Sequence, residues 1–318
     1  MTQIDQAEIK AKLMAMKSET TTNSFDGASI RNASRSIRGQ ILKNQRAAGQ
    51  LFESFLTKIG FETEKFEKIR AQNLAELRGI SEKQHKDAIT ESVPANQVLR
   101  NSTLARLKTI EQLGTTIPSP YYILLKTPIF IIPSHDFILD SSQVAPLDSW
   151  GKFKIASETT GTDVLSFYFL WTNPSDKYAV INVDGFLIFN GNWNAGQNGG
   201  LFAGDSYGDL EITANLRLYE WWNQPPTQPT VQPDQTIEVL NVSNDQDSWD
   251  NLGEVDAGAV FRGHDLKYGL FVMPPQGSVV IEVAATIQYW CQNGGISVDF
   301  ESGDFEIACP FVSIAILS

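Results

Sequence analysis

The sequence predicts an α+β protein in two separate parts: a helical, coiled-coil-like region at residues 1–114 and an antiparallel β-sandwich head domain, jelly-roll-like, at residues 115–318. Residues 29–92 contain no proline and are rich in Lys, Glu, Gln, Arg, Ala and Leu, which favours helix. After Pro118 the sequence changes to short runs of Val, Ile, Phe, Tyr and Trp separated by turn residues, which is typical of a sandwich.

Charge divides the chain at the same place. Residues 1–114 carry 18 basic and 13 acidic side chains, a net charge of +5, whereas residues 115–318 carry 7 and 24, a net charge of −17. The negative field of the second part would repel phosphate, so nucleic acid is not expected as a partner. The opposite charges instead predict a salt-sensitive contact between the helices and the sandwich.

Short helices are predicted at both ends of the first part. Met1–Lys17 is amphipathic and predicts a helix, and Ser18–Asn23, with three consecutive threonines, is typical of a linker. Val93-Pro94 ends the long helical segment, and Asn101–Leu113 predicts one more short helix because Gly114 follows it.

The segment between them carries an apolar stripe with spacings near the 3.5-residue repeat of a packed helix seam. Such a stripe needs a partner helix, so we expect a homo-oligomer assembled through the helical region. Interior glycines and the polar Glu62 and Asn73 argue against a perfect long coiled coil, and breaks near Gly60 and Gly79 into shorter helices are equally compatible. The stripe consists of Ile37, Ile41, Ala48, Phe52, Phe55, Ile59, Phe66, Ile69, Leu77 and Ile80.

The second part predicts more than ten strands, too many for a seven-stranded immunoglobulin-like domain. The candidate strands are Tyr121–Leu125, Ile129–Ile132, Phe153–Ala156, Val164–Trp171, Tyr178–Phe189, Leu210–Leu218, Ile237–Leu240, Ala259–Arg262, Leu266–Met273, Val279–Trp290, Ile296–Glu301, Asp304–Ala308 and Phe311–Leu317.

Two loops have the composition of ligand-binding loops. The loop that follows Asn190 combines Trp193 with the amides Asn194 and Asn198 and several glycines, and saccharide sites use such an aromatic platform beside amide side chains. Trp221 and Trp222 precede a proline-rich stretch of similar character. These five residues are the candidate ligand contacts, although rings folded onto the sandwich are the more common outcome.

A two-residue Ser-Gly turn in the last hairpin would place Asp299, Glu301, Asp304 and Glu306 on one face. Like charges on one face should be solvated, bind a divalent cation or meet basic side chains, and the basic helical region is a candidate for the last of these. A second acidic cluster, Asp245, Asp247, Asp250 and Glu254, fails the EF-hand spacing and is a weak candidate for Ca²⁺; no other cofactor is indicated.

No enzyme motif fits its sequence context, so we expect no enzymatic activity. Gly204–Gly208 matches the Gly-x-Ser-x-Gly nucleophile elbow around Ser206, but the residues that follow predict a strand where the elbow needs a helix. The chain has three histidines, all far apart in sequence, and two cysteines, Cys291 and Cys309, which suit buried thiols better than a disulfide framework.

The first hypothesis for function is a non-enzymatic oligomeric structural or attachment protein, with a protein or glycan ligand at the head. The alternatives are a pore-forming or membrane-active toxin with inserting N-terminal helices, and a carbohydrate-binding head. No secretory signal or apolar membrane-spanning run is evident, which predicts a cytoplasmic location or a non-classical export route.

Overall fold

We describe the fold from a computed structural model. The structure describes residues 5–23, 54–55, 58, 60, 62–116, 121–134, 138–141, 149–152, 154–157, 161–197, 206–222, 230–231, 235–246, 255–292 and 294–317. Its helices are α1 (Gln6–Asn23) and α2 (Thr63–Thr116). Its strands are β1 (Tyr121–Leu125), β2 (Phe130–Pro133), β3 (Ile138–Ser141), β4 (Ser149–Lys152), β5 (Lys154–Ser157), β6 (Gly161–Thr172), β7 (Ala179–Gln197), β8 (Ser206–Glu220), β9 (Thr230–Val231), β10 (Gln235–Gln246), β11 (Val255–Met273), β12 (Ser278–Gln292), β13 (Gly294–Asp299) and β14 (Glu306–Ile316).

The fold consists of two antiparallel sheets with helices on their outer faces. Among the described residues, sheet A has eight strands, with β7 at its centre between β11 on one edge and both β13 and β14 on the other. Sheet B has six strands in the order β10, β8, β12, β6, β2, with β9 also paired to β8. Alternate residues of the central strands pack between the sheets, as the period of two in their sequences requires.

Most of the predicted strands are confirmed, with longer bounds. The two strands predicted at Ala259–Arg262 and Leu266–Met273 are one strand, β11, with a register shift between Tyr268 and Phe271. The strands predicted at Asp304–Ala308 and Phe311–Leu317 likewise form one strand, β14. Strands β3, β4 and β9 were not predicted from the sequence.

The helical region differs from the prediction. Helix α1 continues to Asn23 through the predicted linker, and α2 is continuous through Gly79 and Pro94 to Thr116, where the sequence suggested breaks. Proline removes one helical hydrogen bond, but Pro94 is exposed, so the carbonyl of Thr90 that loses its donor can bond to water. The two described helices pack on different sheets and not on each other as a coiled coil. Residues 24–53 and residue 59, which carry five of the ten residues of the predicted stripe, lie outside the described residues.

Each helix covers one sheet. The last turns of α2 lie on the outer face of sheet A, where Leu107 is buried with Phe186, Ile188 and Phe311. Helix α1 lies on the outer face of sheet B, where Ile9 and Leu13 are buried in an apolar cluster with strand residues. The outer face of each sheet is therefore partly covered by a helix of the same chain.

Candidate functional site

The first candidate ligand loop does not present an aromatic platform. Trp193 lies on β7 with its side chain in the core, 8% exposed, and its indole fills the space where a Cβ on Gly258 would lie. Trp193 is therefore not an exposed ligand contact, and its ring is folded onto the sandwich, which is the more common outcome named above. Odd-numbered residues of β7 face inward, and β7 continues through residues that were expected to form a loop. Asn194 is on the opposite, outer side and half-buried, and Asn198 lies outside the described residues.

Trp221 and Trp222 follow β8 and diverge. Trp222 packs against the core between the sheets, with its ring centroid 5.8 Å from that of Phe271. Trp221 is half-buried on the outer side of sheet B, where the ammonium of Lys12 in α1 lies 5.6 Å from its ring centroid. Trp221 is thus the candidate of this pair that borders a helix-covered face.

The predicted acidic hairpin is wrong, because β13 and β14 do not pair with each other. They lie end to end along the same edge of β7, with Asp299 opposite Asn192 and Glu306 opposite Asn190. Residues 300–305 are the loop that links these two strands. The alternation of apolar and acidic residues does mark strands, but both of them pair with the long β7 instead.

The four carboxylates consequently have different environments. Asp299 is buried, accepts hydrogen bonds from the backbone and hydroxyl of Ser302, and pairs with Lys154 at 3.0 Å. Burial pushes the pKa of Asp299 upward, but these hydrogen bonds, with that from the Glu301 amide, outweigh it and hold the pKa below the usual range. Glu301 is half-buried and Asp304 exposed.

Glu306 meets the basic helical region. It is buried on the outer face of sheet A, and the guanidinium of Arg100 in α2 lies 3.3 Å from its Oε1. Further along the same helix lies a second cation, Arg106, which pairs with Asp265 of β11. Arg106 also lies over the rings of Phe186 and Phe311, 4.7 and 5.6 Å from their centroids.

The weak metal candidate receives no support from the described residues. Asp245 lies on β10 opposite Tyr207, and Asp247, Asp250 and Glu254 lie outside the described part of the chain. Within that part, no group of three or more His, Cys, Asp or Glu side chains could hold a metal ion. Cys291 and Cys309 are buried free thiols on different sheets.

The outer face of sheet B carries a site that the sequence did not indicate. Four neighbouring strands place Phe130, Tyr168, Glu282 and Arg217 in one row, each opposite the next in register. Glu282 is 1% exposed at the centre of this row. We call this row, together with Tyr219, Val280 and Trp221, the covered face.

Both carboxylate oxygens of Glu282 accept hydrogen bonds. The hydroxyl of Tyr168 donates to Oε1 at 2.8 Å and that of Tyr219 donates to Oε2 at 2.5 Å, while the guanidinium of Arg217 lies 3.5 Å from Oε2. Burial, and then the adjacent carboxylate, raises the pKa of both tyrosines, so they remain protonated donors. Glu282 thus joins strands β6, β8 and β12 through their side chains.

Helix α1 closes the covered face. Ile9 and Leu13, one turn apart on α1, are buried in one apolar cluster with Tyr168, Tyr219 and Val280. The spacing of four residues places both side chains on the same side of the helix. Another side of the helix, which includes Met14, is exposed.

A signal for this site exists in the sequence. Glu282 is the one charged residue in the run Val279–Ala285, and a charge inside an otherwise apolar strand must be exposed, paired or hydrogen-bonded. Its partners come from β6 and β8, more than 60 positions away. The pairing register, which the sequence does not reveal, is what brings them together.

Within the described part of the chain, neither helix is both long and apolar enough to cross a membrane. No family model matches this sequence, and no curated protein matches it either.

Solved structures give weak likenesses only. They include the carbohydrate-binding module TmCBM61 in complex with β-1,4-galactotriose (10% identity, 62% of this chain and 91% of that chain, TM-score 0.16). An aminopeptidase from a marine sediment Thaumarchaeota archaeon shares 8% identity over 58% of this chain and 37% of its own, with a TM-score of 0.22. CBM35 from Cellvibrio japonicus Abf62 shares 9% identity over 61% and 91%, with a TM-score of 0.17.

Proposed function

We propose that this chain is a non-enzymatic assembly protein, in which α2 joins copies of the chain and the sandwich, of jelly-roll type, is the head domain. The observation that carries this proposal is the exposure of α2. At 1.5 Å per residue its 54 residues extend about 80 Å, and the segment from Leu99 to Glu111 that meets the sandwich accounts for about 20 Å of that length. Between Glu62 and Val98 every described side chain is exposed except Ile89 and Ala95.

The exposed part of α2 carries an apolar line. Ile69, Ile80 and Val98 are each at least half exposed. They are separated by 11 and 18 residues, which is about three and five turns of a 3.6-residue helix, so they lie on one side. An exposed apolar line on a helix favours packing against a partner helix, and a second copy supplies an identical line.

The docked end of α2 supports a rigid link to the head. Leu107 and its neighbours anchor the helix, and the pairs Arg100–Glu306 and Arg106–Asp265 fix its position along sheet A. Copies joined through the exposed part of α2 would therefore hold their sandwiches in defined positions. Such an arrangement suits a structural or attachment protein.

The test is the mass of the full-length protein by light scattering at micromolar concentration. We expect a multiple of 35.3 kDa for the wild type and a monomer for the double variant Ile69→Asp/Ile80→Asp, because charges on the apolar line would have to be buried. The matched control is Ala71→Asp/Ala75→Asp, which places the same charges at exposed positions on another side of the helix and should leave the multimer intact. A monomeric wild type would refute the proposal, as would equal effects of the two double variants.

A further inference from the structure

The covered face has more polar chemistry than a seat for α1 requires. Ile9 and Leu13 pack on aromatic and aliphatic side chains, and apolar residues throughout would hold them without taking a carboxylate out of water. Glu282 nevertheless lies there at 1% exposure with a guanidinium and two phenol hydroxyls. This constellation indicates a role beyond holding the helix.

We propose that the covered face is a binding site for a neutral saccharide, and that α1 occupies the site in the free protein. The proposal goes beyond the assembly function and does not depend on it. The rings of Tyr168, Tyr219 and Trp221 lie on one side of the sheet and offer flat apolar surfaces that stack on the C–H face of a pyranose ring. Glu282 and Arg217 lie in the same row and supply an acceptor and a donor for hydroxyl groups.

Charge selects the class of ligand. Glu282 and Arg217 form an ion pair, so the polar centre of the site carries no net charge. An anionic ligand would compete with Glu282 for Arg217 and leave a buried carboxylate without its cation, which is unfavourable. A polyhydroxylated neutral ligand can bind both groups without separating them.

Trp221 shows that part of the site is accessible beside the helix. Its ring is half-buried and its partner on α1 is the ammonium of Lys12, 5.6 Å from the ring centroid. Cation–π contacts at exposed positions are weak, so a sugar ring can replace Lys12 there at little cost. Release of Ile9 and Leu13 would then open the remaining part of the face, and ligand and α1 would compete for it.

The test uses the full-length chain in native affinity electrophoresis through gels that contain barley β-glucan, xylan, galactan or mannan, with polygalacturonate as the anionic comparison. Leu13→Asp should unseat α1 and tighten apparent binding to at least one neutral polysaccharide by about tenfold or more relative to the wild type. Met14→Asp makes the same change on the exposed side of α1 and should behave as the wild type. Adding Trp221→Ala to Leu13→Asp should reverse the gain.

Four results would overturn the proposal. They are no gain for Leu13→Asp on any of the four neutral polysaccharides, an equal gain for Met14→Asp, a gain that survives Trp221→Ala, or equal retardation by polygalacturonate. If Leu13→Asp does not fold, Ile9→Ala/Leu13→Ala takes its place with the same expectations. Hydrogen exchange of the wild type gives an independent measurement: a saturating neutral polysaccharide should deprotect the amides of Ile9–Leu13, and unchanged protection at saturation would contradict competition with α1.

Discussion

Truncation of Leu107 to alanine should loosen the attachment of α2 to sheet A. Leu107 is 3% exposed and is buried with Phe186, Ile188 and Phe311, so the missing carbons would leave a cavity between helix and sheet. Leu→Ala changes at buried sites cost about 2–5 kcal/mol, depending on how far the surroundings relax. Leu104, three residues earlier on the same helix, is 37% exposed, and its truncation should cost well under half as much.

Hydrogen exchange measures this cost locally. We expect helix α2 to open from the sheet without unfolding the sandwich, in which case the amides from Leu99 to Ile110 report the free energy of that opening. A loss of about 2–5 kcal/mol corresponds to exchange that is faster by roughly 30-fold to several thousand-fold. The amides of β12, in the middle of sheet B, are the internal reference and should not change.

The comparison of the two leucines decides the outcome. Equal acceleration in Leu104→Ala and Leu107→Ala would show that helix propensity or fraying, and not burial against sheet A, controls opening. Acceleration of β12 amides to the same degree would show that α2 and the sandwich open together, which would refute the local attachment of the helix. Thermal denaturation of both variants measures their global stability, which is then compared with the change in amide exchange of α2.

Three further predictions concern single positions. Gly191→Ala should lower the free energy of unfolding by about 1–3 kcal/mol in urea denaturation, because the added Cβ would meet the ring of Phe300 and lie 2.7 Å from the carbonyl oxygen of Asp299. Gly295→Ala is the control: a Cβ there has no neighbour within 4 Å, so the free energy of unfolding should change far less. Gly79→Ala should stabilise α2 by about 1 kcal/mol, seen as slower exchange around it, since the position is exposed, helical and free of neighbours within 4 Å. The lowered pKa of Asp299 means that its contribution to stability is present above the ordinary value of 3.8 and is lost as pH falls through the lowered pKa. Asp299→Asn should therefore destabilise at neutral pH and flatten the acid limb of the stability curve, and an unchanged acid limb would contradict the role of its hydrogen bonds.

The sandwich could be predicted because its strands are short stretches of sequence with a high content of β-branched and aromatic residues. Val164–Trp171 and Val279–Trp290 are dense in β-branched and aromatic residues, and each proves to be a central strand of sheet B. The end of the helical region was less predictable, because Pro94 argued locally for a helix end. Contacts made by Leu99, Leu107 and Ile110 with sheet A stabilise the last turns of α2, and that information is tertiary.

The pairing of strands accounts for what the sequence did not reveal. Ser302-Gly303 suggested a hairpin, but β7 is 19 residues long and pairs with both β13 and β14 along one edge. The same kind of long-range register places Tyr168 beside Glu282. Local periodicity gives the face on which a residue lies, and it gives no information on which strand is the neighbour.

The two helices are held by different forces, and this gives the charge division of the chain a structural meaning. Among the described contacts, the ion pairs between α2 and the sandwich are made by Arg100 and Arg106 and, with the charges reversed, by Glu111 with Lys126. Helix α1 is instead held by Ile9 and Leu13 over a face whose charges cancel. Salt screens exposed ion pairs but leaves apolar burial intact, so high salt should weaken the contact of α2 more than that of α1. Leu107 and the stacking of Arg106 on two rings remain in salt, so screening alone should not release α2. The opposite charges therefore fix where α2 lies on sheet A, and apolar packing supplies most of the free energy that keeps it there.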